Sequence, residues 1–181
     1  MVTEFQKRKI FLAFYKFDTS KDGIVDVSDW ELQAKRVAEA LDVKPGTSDY
    51  EEILKAYRNA WDGYFKPADT DGDGKVTSEE YFNTFAPFIA EGNASLEKAM
   101  TLNQGVFDAI DLDGSGKIDA KEFRIYFKGL NLSEEDAKVA FSKLDTSGDG
   151  TISREEFAQA MYEYFTSNDP DARGNWFYGS Y

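Results

Sequence analysis

Cysteine and histidine are both missing from the 181 residues. Their absence removes disulfides, thiol chemistry, zinc sites of the usual kind and any histidine general base. No uninterrupted run of about 18 apolar residues occurs anywhere, so a transmembrane helix is not expected. The start, MVTEFQKRKIFLAFYKF, has no apolar stretch suited to a signal peptide, and a cytosolic location is expected. Positive charge is also scarce. Lys and Arg total 21 against 34 Asp and Glu, a formal charge of -13. That balance argues against nucleic acid or anionic lipid as a partner and in favour of bound cations.

What is abundant is apolar and aromatic. Hydrophobic residues make up 41% and aromatics 15%, enough for a sizeable core. Apolar residues recur at helical spacing. Trp30, Ala34, Val37, Ala38 and Leu41 form one face; Tyr50, Ile53, Leu54, Tyr57, Trp61, Tyr64 and Phe65 form a longer one. Phe123, Tyr126, Phe127 and Leu130 form another, and Phe157, Met161, Tyr164 and Phe165 the last. Weaker faces run through Ile10, Phe14 and Phe17; Leu96, Ala99, Phe107 and Ile110; and Ala137, Phe141 and Leu144. All are read as core. No strand-like alternation is long enough to suggest a sheet. Ser48 with Glu51 and Ser133 with Asp136 read as capping boxes, and Gly92 and Gly129 as helix ends. The result is an all-α chain of eight helices in four pairs, each pair flanking an acidic loop.

The loops read DTSKDGIVDVSD from residue 18, DTDGDGKVTSEE from 69, DLDGSGKIDAKE from 111 and DTSGDGTISREE from 145. Each has oxygen-bearing side chains at positions 1, 3 and 5, glycine at 6, an apolar residue at 8 and an acid at 12. This is the pattern of the EF-hand calcium loop. Calcium takes about six to eight oxygens at about 2.3–2.6 Å. A curled loop turns alternate side chains inward, position 7 offers its carbonyl, and position 12 grips the ion from the first turn of the next helix. Thr77 with Glu80 and Ser153 with Glu156 also read as plain capping boxes. A helix cap alone does not require the oxygens at 1, 3 and 5 together with the glycine, four times over.

The candidate ligands of the second loop are Asp69, Asp71, Asp73, the Lys75 carbonyl and Glu80. Those of the third are Asp111, Asp113, Ser115, the Lys117 carbonyl, Asp119 and Glu122. The fourth offers Asp145, Ser147, Asp149, the Thr151 carbonyl and Glu156. The first offers Asp18, Ser20, Asp22, the Ile24 carbonyl, Asp26 and Asp29. Asp29 is shorter than glutamate by one carbon–carbon bond, about 1.5 Å. With one oxygen from Asp29 and a sixth from Asp26 or water, the site approaches the six-fold geometry that magnesium demands. The first loop is therefore expected to hold a metal with relaxed calcium preference and substantial magnesium occupancy. The opposing reading is a loop that keeps only a pairing role. Three to four calcium sites are expected in all. Four ions would carry the formal charge of -13 to about -5.

The first gap between loops is the widest and houses a long helix from about Ser48 to Lys66. The middle gap is too short for a free linker helix, so the two loop pairs are expected to pack into one body. That division places residues 1–91 in a first pair, 92–166 in a second and 167–181 in a tail. The segments EFQKRKIFLAFYKFDTSKDGIVDVSDWE, NAWDGYFKPADTDGDGKVTSEEY and YFTSNDPDARGNWFYG resemble the invertebrate sarcoplasmic calcium-binding proteins and the similar calexcitins. The unequal loop spacing and the Asp closing the first loop resemble them too. The resemblance spans essentially the whole chain. It implies a compact, cytosolic, four-EF-hand protein that buffers calcium and magnesium, or, for calexcitins, a neuronal sensor. Members commonly lose one loop, often the second or fourth; here both keep their ligands. The family also implies that position 8 of each loop (Val25, Val76, Ile118, Ile152) pairs with its neighbour through a short β-bridge.

The tail ends in GNWFYGSY. It reads either as a partner motif or as a lid with Trp176 and Phe177 packed on the body; exposed aromatics are costly, and the lid is adopted. Met numbers only 3, which argues against a flexible, Met-rich target groove and for a closed buffer, expected as a monomer. A sensor with one dedicated target is the alternative. The calcium-triggered photoproteins and their luciferin-binding relatives share the fold. From what is known of the photoproteins, they place histidines around the luciferin and close with a proline. This chain has no histidine and closes with Tyr181, which sets it apart, and an apolar ligand between the helix pairs stays open. No nucleophile, base and orienting group converge, so no enzymatic role is expected.

Overall fold

The computed structural model describes residues 2–90 and 94–180; the side chains of residues 88, 94–100 and 102 are not described. Among the described residues there are eight α-helices: α1 (Glu4–Phe17), α2 (Val27–Ala40), α3 (Ser48–Ala60), α4 (Ser78–Ala90), α5 (Ala94–Ile110), α6 (Ala120–Gly129), α7 (Glu134–Leu144) and α8 (Arg154–Thr166). Four three-residue strands interrupt them: β1 (Ile24–Asp26), β2 (Lys75–Thr77), β3 (Lys117–Asp119) and β4 (Thr151–Ser153). β1 pairs antiparallel with β2 and β3 with β4. Val25 faces Val76 and Ile118 faces Ile152 across these bridges, and all four side chains are buried. The loops are thus coupled in two pairs, through the apolar position 8 that the sequence repeats.

The pairs pack into one body. α2 lies against α6, α3 against α5 and α1 against α8. Two of these approaches depend on glycine. A Cβ on Gly105 would sit 3.2 Å from the Ala60 Cα, and one on Gly129 would sit 3.1 Å from Val37 Cγ2. Phe17 stacks on Trp30 at 5.1 Å, and Phe65 on Tyr81 at 4.8 Å, at the centre of the first half. The expected faces on α2, α6 and α8 are buried, and Leu41, Tyr50, Ile53 and Phe141 pack partly buried against the core. The side chains of Leu96 and Ala99 are among those not described, and the Gly92 helix end lies outside the described residues.

Three helix ends differ in detail from the sequence reading. The N-cap of α3 is Thr47 rather than Ser48: its hydroxyl accepts from Tyr50 N at 3.3 Å. Ser133 does cap α7, but its hydroxyl donates to the Asp136 carboxylate at 2.8 Å, so the reciprocal backbone bond of a capping box is absent. Gly129 is the last residue of α6, and the left-handed turn falls on Asn131 (φ 58). Leu132 N to Phe127 O (2.8 Å) and Asn131 N to Lys128 O (3.0 Å) close that end. The long helix from Ser48 also changes pitch. It widens into a π-type turn at Trp61–Phe65 and tightens into a 3₁₀ turn at Lys66–Ala68, where Pro67 cannot continue an α-helix. The wide turn brings Trp61, Tyr64 and Phe65 inward together, all at 5% exposure or less.

After α8 the chain forms a short 3₁₀ turn at Arg173–Trp176 that lies on α7 and α8. Phe177 packs on Phe157 at 4.8 Å, and Tyr178 enters the core against Phe17 and Tyr164. Trp176 is partly buried against the same core. Tyr64 joins Tyr178 and Tyr81 through hydroxyl contacts of 3.0 and 3.2 Å. Burial pushes the Tyr64 phenol up to about 12, against the pull of those two hydroxyls.

Candidate metal centres

All four loops share one internal frame. The position-1 carboxylate accepts from the position-6 glycine N–H: Asp18 from Gly23 (2.9 Å), Asp69 from Gly74 (3.0 Å), Asp111 from Gly116 (2.9 Å) and Asp145 from Gly150 (2.9 Å). These glycines have φ of 81 to 87, a bend that glycine adopts without a Cβ clash. Position 5 then accepts from the position-7 N–H, in Asp22–Ile24, Asp73–Lys75, Ser115–Lys117 and Asp149–Thr151. The side-chain oxygens therefore converge inside each curl before any ion is considered.

Position 12 closes the curl. Glu80 accepts from Thr70 N and Thr77 N, Glu122 from Leu112 N and Asp119 N, and Glu156 from Thr146 N and Ser153 N. Each carboxylate thus bridges position 2 of the loop and position 9 at the start of the next helix. Asp29 makes the same bridge with a shorter arm. One oxygen accepts from Asp26 N at 3.0 Å; the other reaches Ser20 N at 2.8 Å, position 3 rather than position 2. Glu122 and Glu156 also accept from position 3, Asp113 N at 3.3 Å and Ser147 N at 2.9 Å, so the shorter arm keeps the position-3 bond and gives up the position-2 one.

The four closing acids differ electrostatically. Burial raises the Asp29 carboxyl above its ordinary range, against backbone hydrogen bonds from Asp26 and Ser20. Burial likewise raises Glu122. Hydrogen bonds led by the Thr77 N–H hold Glu80 down to about 2. At Glu156 burial works upward but is outweighed by the Ser153 and Ser147 N–H groups, and the carboxyl falls to about 2. Asp149 also falls to about 2, chiefly through the Lys117 ammonium 2.7 Å away. That lysine crosses from the third loop to a candidate ligand of the fourth.

Carboxylate oxygens of Asp69, Asp71 and Asp73 lie within 4.8 Å of one another, as do those of Asp111, Asp113 and Glu122. Among the described residues such a grouping occurs in these two loops only. In the first and fourth loops hydroxyls replace acids at position 3, Ser20 and Ser147, and fewer carboxylates meet. Asp26 and Asp119, at position 9, turn to the helix that follows: Asp26 accepts from Ser28 N at 2.7 Å and Asp119 from Glu122 N at 2.8 Å. Both act as N-caps. Every candidate donor is an oxygen, which suits hard divalent cations and no soft metal.

The EF-hand domain pair family model matches residues 101–162, and the EF hand family model matches residues 12–32 and 62–85. Centrin-3 of Homo sapiens is 32% identical over 162 residues, 88% of this chain and 85% of its own length. The chain belongs to the EF-hand family. Sarcoplasmic calcium-binding proteins I, III and IV of Branchiostoma lanceolatum are 27% identical over 94% of this chain and 95% of theirs. Calerythrin of Saccharopolyspora erythraea is 26% identical over 91% of this chain and 94% of its own. In fold, the calcium-loaded apo form of the coelenterazine-binding protein from Renilla muelleri superposes with a TM-score of 0.83, at 23% identity, covering 99% and 100% of the two chains. None of the described helices of this EF-hand protein is long and apolar enough to cross a membrane.

The frame of the loops was readable from residue types. Two features were not: the Lys117 bridge to Asp149, and the capping role of Asp26 and Asp119. The second had a visible signal, since an aspartate three residues before an acid at a helix start is itself a capping pattern.

Proposed function

We propose that this protein is a cytosolic, monomeric calcium buffer with some magnesium binding, built to stay closed. One observation carries the reading. The apolar ground that a sensor would uncover for a target is filled by the chain's own tail, with Phe177 and Tyr178 at 2% and 3% exposure. A core held by rigid aromatic contacts gives little room for the repacking on which a Met-rich sensor groove depends.

The second, third and fourth loops are assigned to calcium through Asp69, Asp71, Asp73 and Glu80; Asp111, Asp113, Ser115 and Glu122; and Asp145, Ser147, Asp149 and Glu156. The carbonyls of Lys75, Lys117 and Thr151 complete them. The first loop is assigned to a metal of mixed preference, with Asp18, Ser20, Asp22, the Ile24 carbonyl and Asp29. Asp26 is engaged at the helix start, so water supplies the sixth oxygen, which favours magnesium. Calorimetric titration with calcium, with and without millimolar magnesium, is the test. The reading expects up to four sites and magnesium competition strongest at one of them. A protein that takes up no calcium would overturn it. A large calcium-induced rise in binding of an apolar dye would replace the buffer with a sensor.

A second reading rests on the interior. Trp30 Nε1, Gln33 Oε1 and the Tyr126 hydroxyl are buried without hydrogen-bond partners among the described residues, and the Trp30 ring lies edge-on to Tyr64, whose hydroxyl joins those of Tyr81 and Tyr178. An apolar guest with polar edges, of the luciferin kind, would satisfy such groups. An absorbance band that travels with the purified protein would support it.

A further inference from the structure

The outer helices of the second half leave a groove of about 360 Å³ between α5 and α8. Its lining includes none of the candidate metal ligands, though Arg154 belongs to the fourth loop and Phe157 also carries the tail's Phe177. Its floor is apolar: Phe107 and Phe157 are 2% and 1% exposed and meet edge to face at 5.6 Å. Two polar groups stand over that floor. Asn103 lines the groove at only 3% exposure, and its Nδ2 has no hydrogen-bond partner among the described residues. A buried amide donor left unpaired is costly, and a bound acceptor would relieve that cost.

The second group is Arg154 at the rim. Its guanidinium lies over the Phe107 ring, Cζ 4.2 Å from the centroid, and Asp108 holds it through a 2.6 Å contact to Nη2. Stacking and the ion pair fix its plane, and a guanidinium with five N–H groups keeps donors beyond the one given to Asp108. Asp108 also offsets its charge. The rim therefore favours an oxygen acceptor without requiring a full anion. The combination of a small apolar floor and a few convergent polar groups is that of a ligand pocket, at the small end of the usual range.

We propose that the α5–α8 groove is a binding site for a small apolar molecule bearing a carbonyl-type oxygen. Asn103 Nδ2 and Arg154 receive the oxygen, and Phe107 and Phe157 hold the hydrocarbon. A fatty acid and a fatty amide present the same chemistry and differ in charge alone.

The test uses the full chain, with and without calcium, titrated with octanoate and separately with octanamide. Binding is read from the side-chain amide resonances of Asn103 and by calorimetry. The site expects saturable shifts of the Asn103 amide pair with at least one probe. Asn103→Leu should weaken that probe about tenfold or more. Because the lost donor has no partner among the described residues, the variant should keep or raise its melting temperature. Arg154→Ala weakening octanoate more than octanamide would identify an acid as the ligand; equal weakening would identify a neutral carbonyl. No shift with either probe at millimolar concentration in either calcium state overturns the proposal. So does a variant Asn103→Leu that binds as the parent does.

Discussion

Lys9 Nζ donates to Asn175 Oδ1 at 2.9 Å, and neither residue has any exposed surface. The same ammonium donates to the Ser167 carbonyl at 2.9 Å and lies 4.7 Å over the Phe5 ring. Asn175 in turn donates to the carbonyls of Asp169 and Pro170. The first helix therefore holds the tail by a buried cation rather than by apolar packing alone. Gln6 and Thr3 add bonds to Thr166 and Asn168.

Lys9→Met keeps the length of the side chain and leaves Asn175 Oδ1 and the Ser167 carbonyl without this donor. Stability should fall by about 1–3 kcal/mol, the cost of a buried unsatisfied acceptor. The urea midpoint measures it. Proteolysis of the tail should quicken in step, since the tail loses its tie to α1.

The same residue sets a pH dependence. Burial lowers the Lys9 ammonium from 10.5 to about 8, with the Glu163 charge pulling partly the other way. Between these values the unfolded chain still holds a proton that the folded chain has released. Raising the pH through that window therefore favours the folded state. The parent should gain stability on Lys9→Met from about pH 8 upward and show no relative change below it. Parallel urea midpoints across the whole range would remove the buried ammonium from the account.

Asp29→Glu restores the longer arm in the first loop. Its reach allows the position-2 bond that Glu80, Glu122 and Glu156 make and that Asp29, bonded at position 3 to Ser20 N, lacks. Calcium affinity at that loop should rise by roughly tenfold, about 1.4 kcal/mol, with magnesium competition reduced. Calorimetry with millimolar magnesium reads both. An unchanged competition profile would assign the ion preference to something other than the twelfth residue.

Gly105→Ala places a methyl group 3.2 Å from the Ala60 Cα and 3.4 Å from the Asn59 carbonyl, both backbone atoms that cannot swing aside. Overpacking of this kind costs about 1–3 kcal/mol. Gly63→Ala, where a Cβ meets nothing within 4 Å, should stay within about 0.5 kcal/mol of the parent. Thermal melts of the two variants make a matched pair.

Phe177→Ala removes a ring buried against Phe157 and should cost about 3–5 kcal/mol. Tyr178→Phe removes only a hydroxyl contact to Tyr64, which keeps Tyr81, and should cost about 1 kcal/mol. Urea unfolding distinguishes them; similar losses would mean that the tail is held by its polar edge rather than its apolar bulk.

The metal loops were legible because coordination chemistry fixes residue types at fixed offsets: Asp18, Asp69, Asp111 and Asp145 open four twelves that nothing else explains. The helices were legible through their apolar faces. Their ends were less so, since a cap depends on which hydroxyl meets which N–H, and Thr47 and Ser48 carry the same group one residue apart. Gly129 reads as a helix stop, yet its use is to let α2 approach α6; Asn131 makes the turn. Lys9 and Asn103 were invisible for a different reason. A lysine or asparagine on a helix reads as solvated, and only the docking of a distant segment buries it.

Tyr178 meets Tyr64 across 114 residues of chain. On a ribosome, the first pair of loops emerges long before the ring that finishes its interior. Vectorial folding can therefore curl the loops early, but it leaves the first half's aromatic centre open to water, and to other chains, until residue 178 arrives.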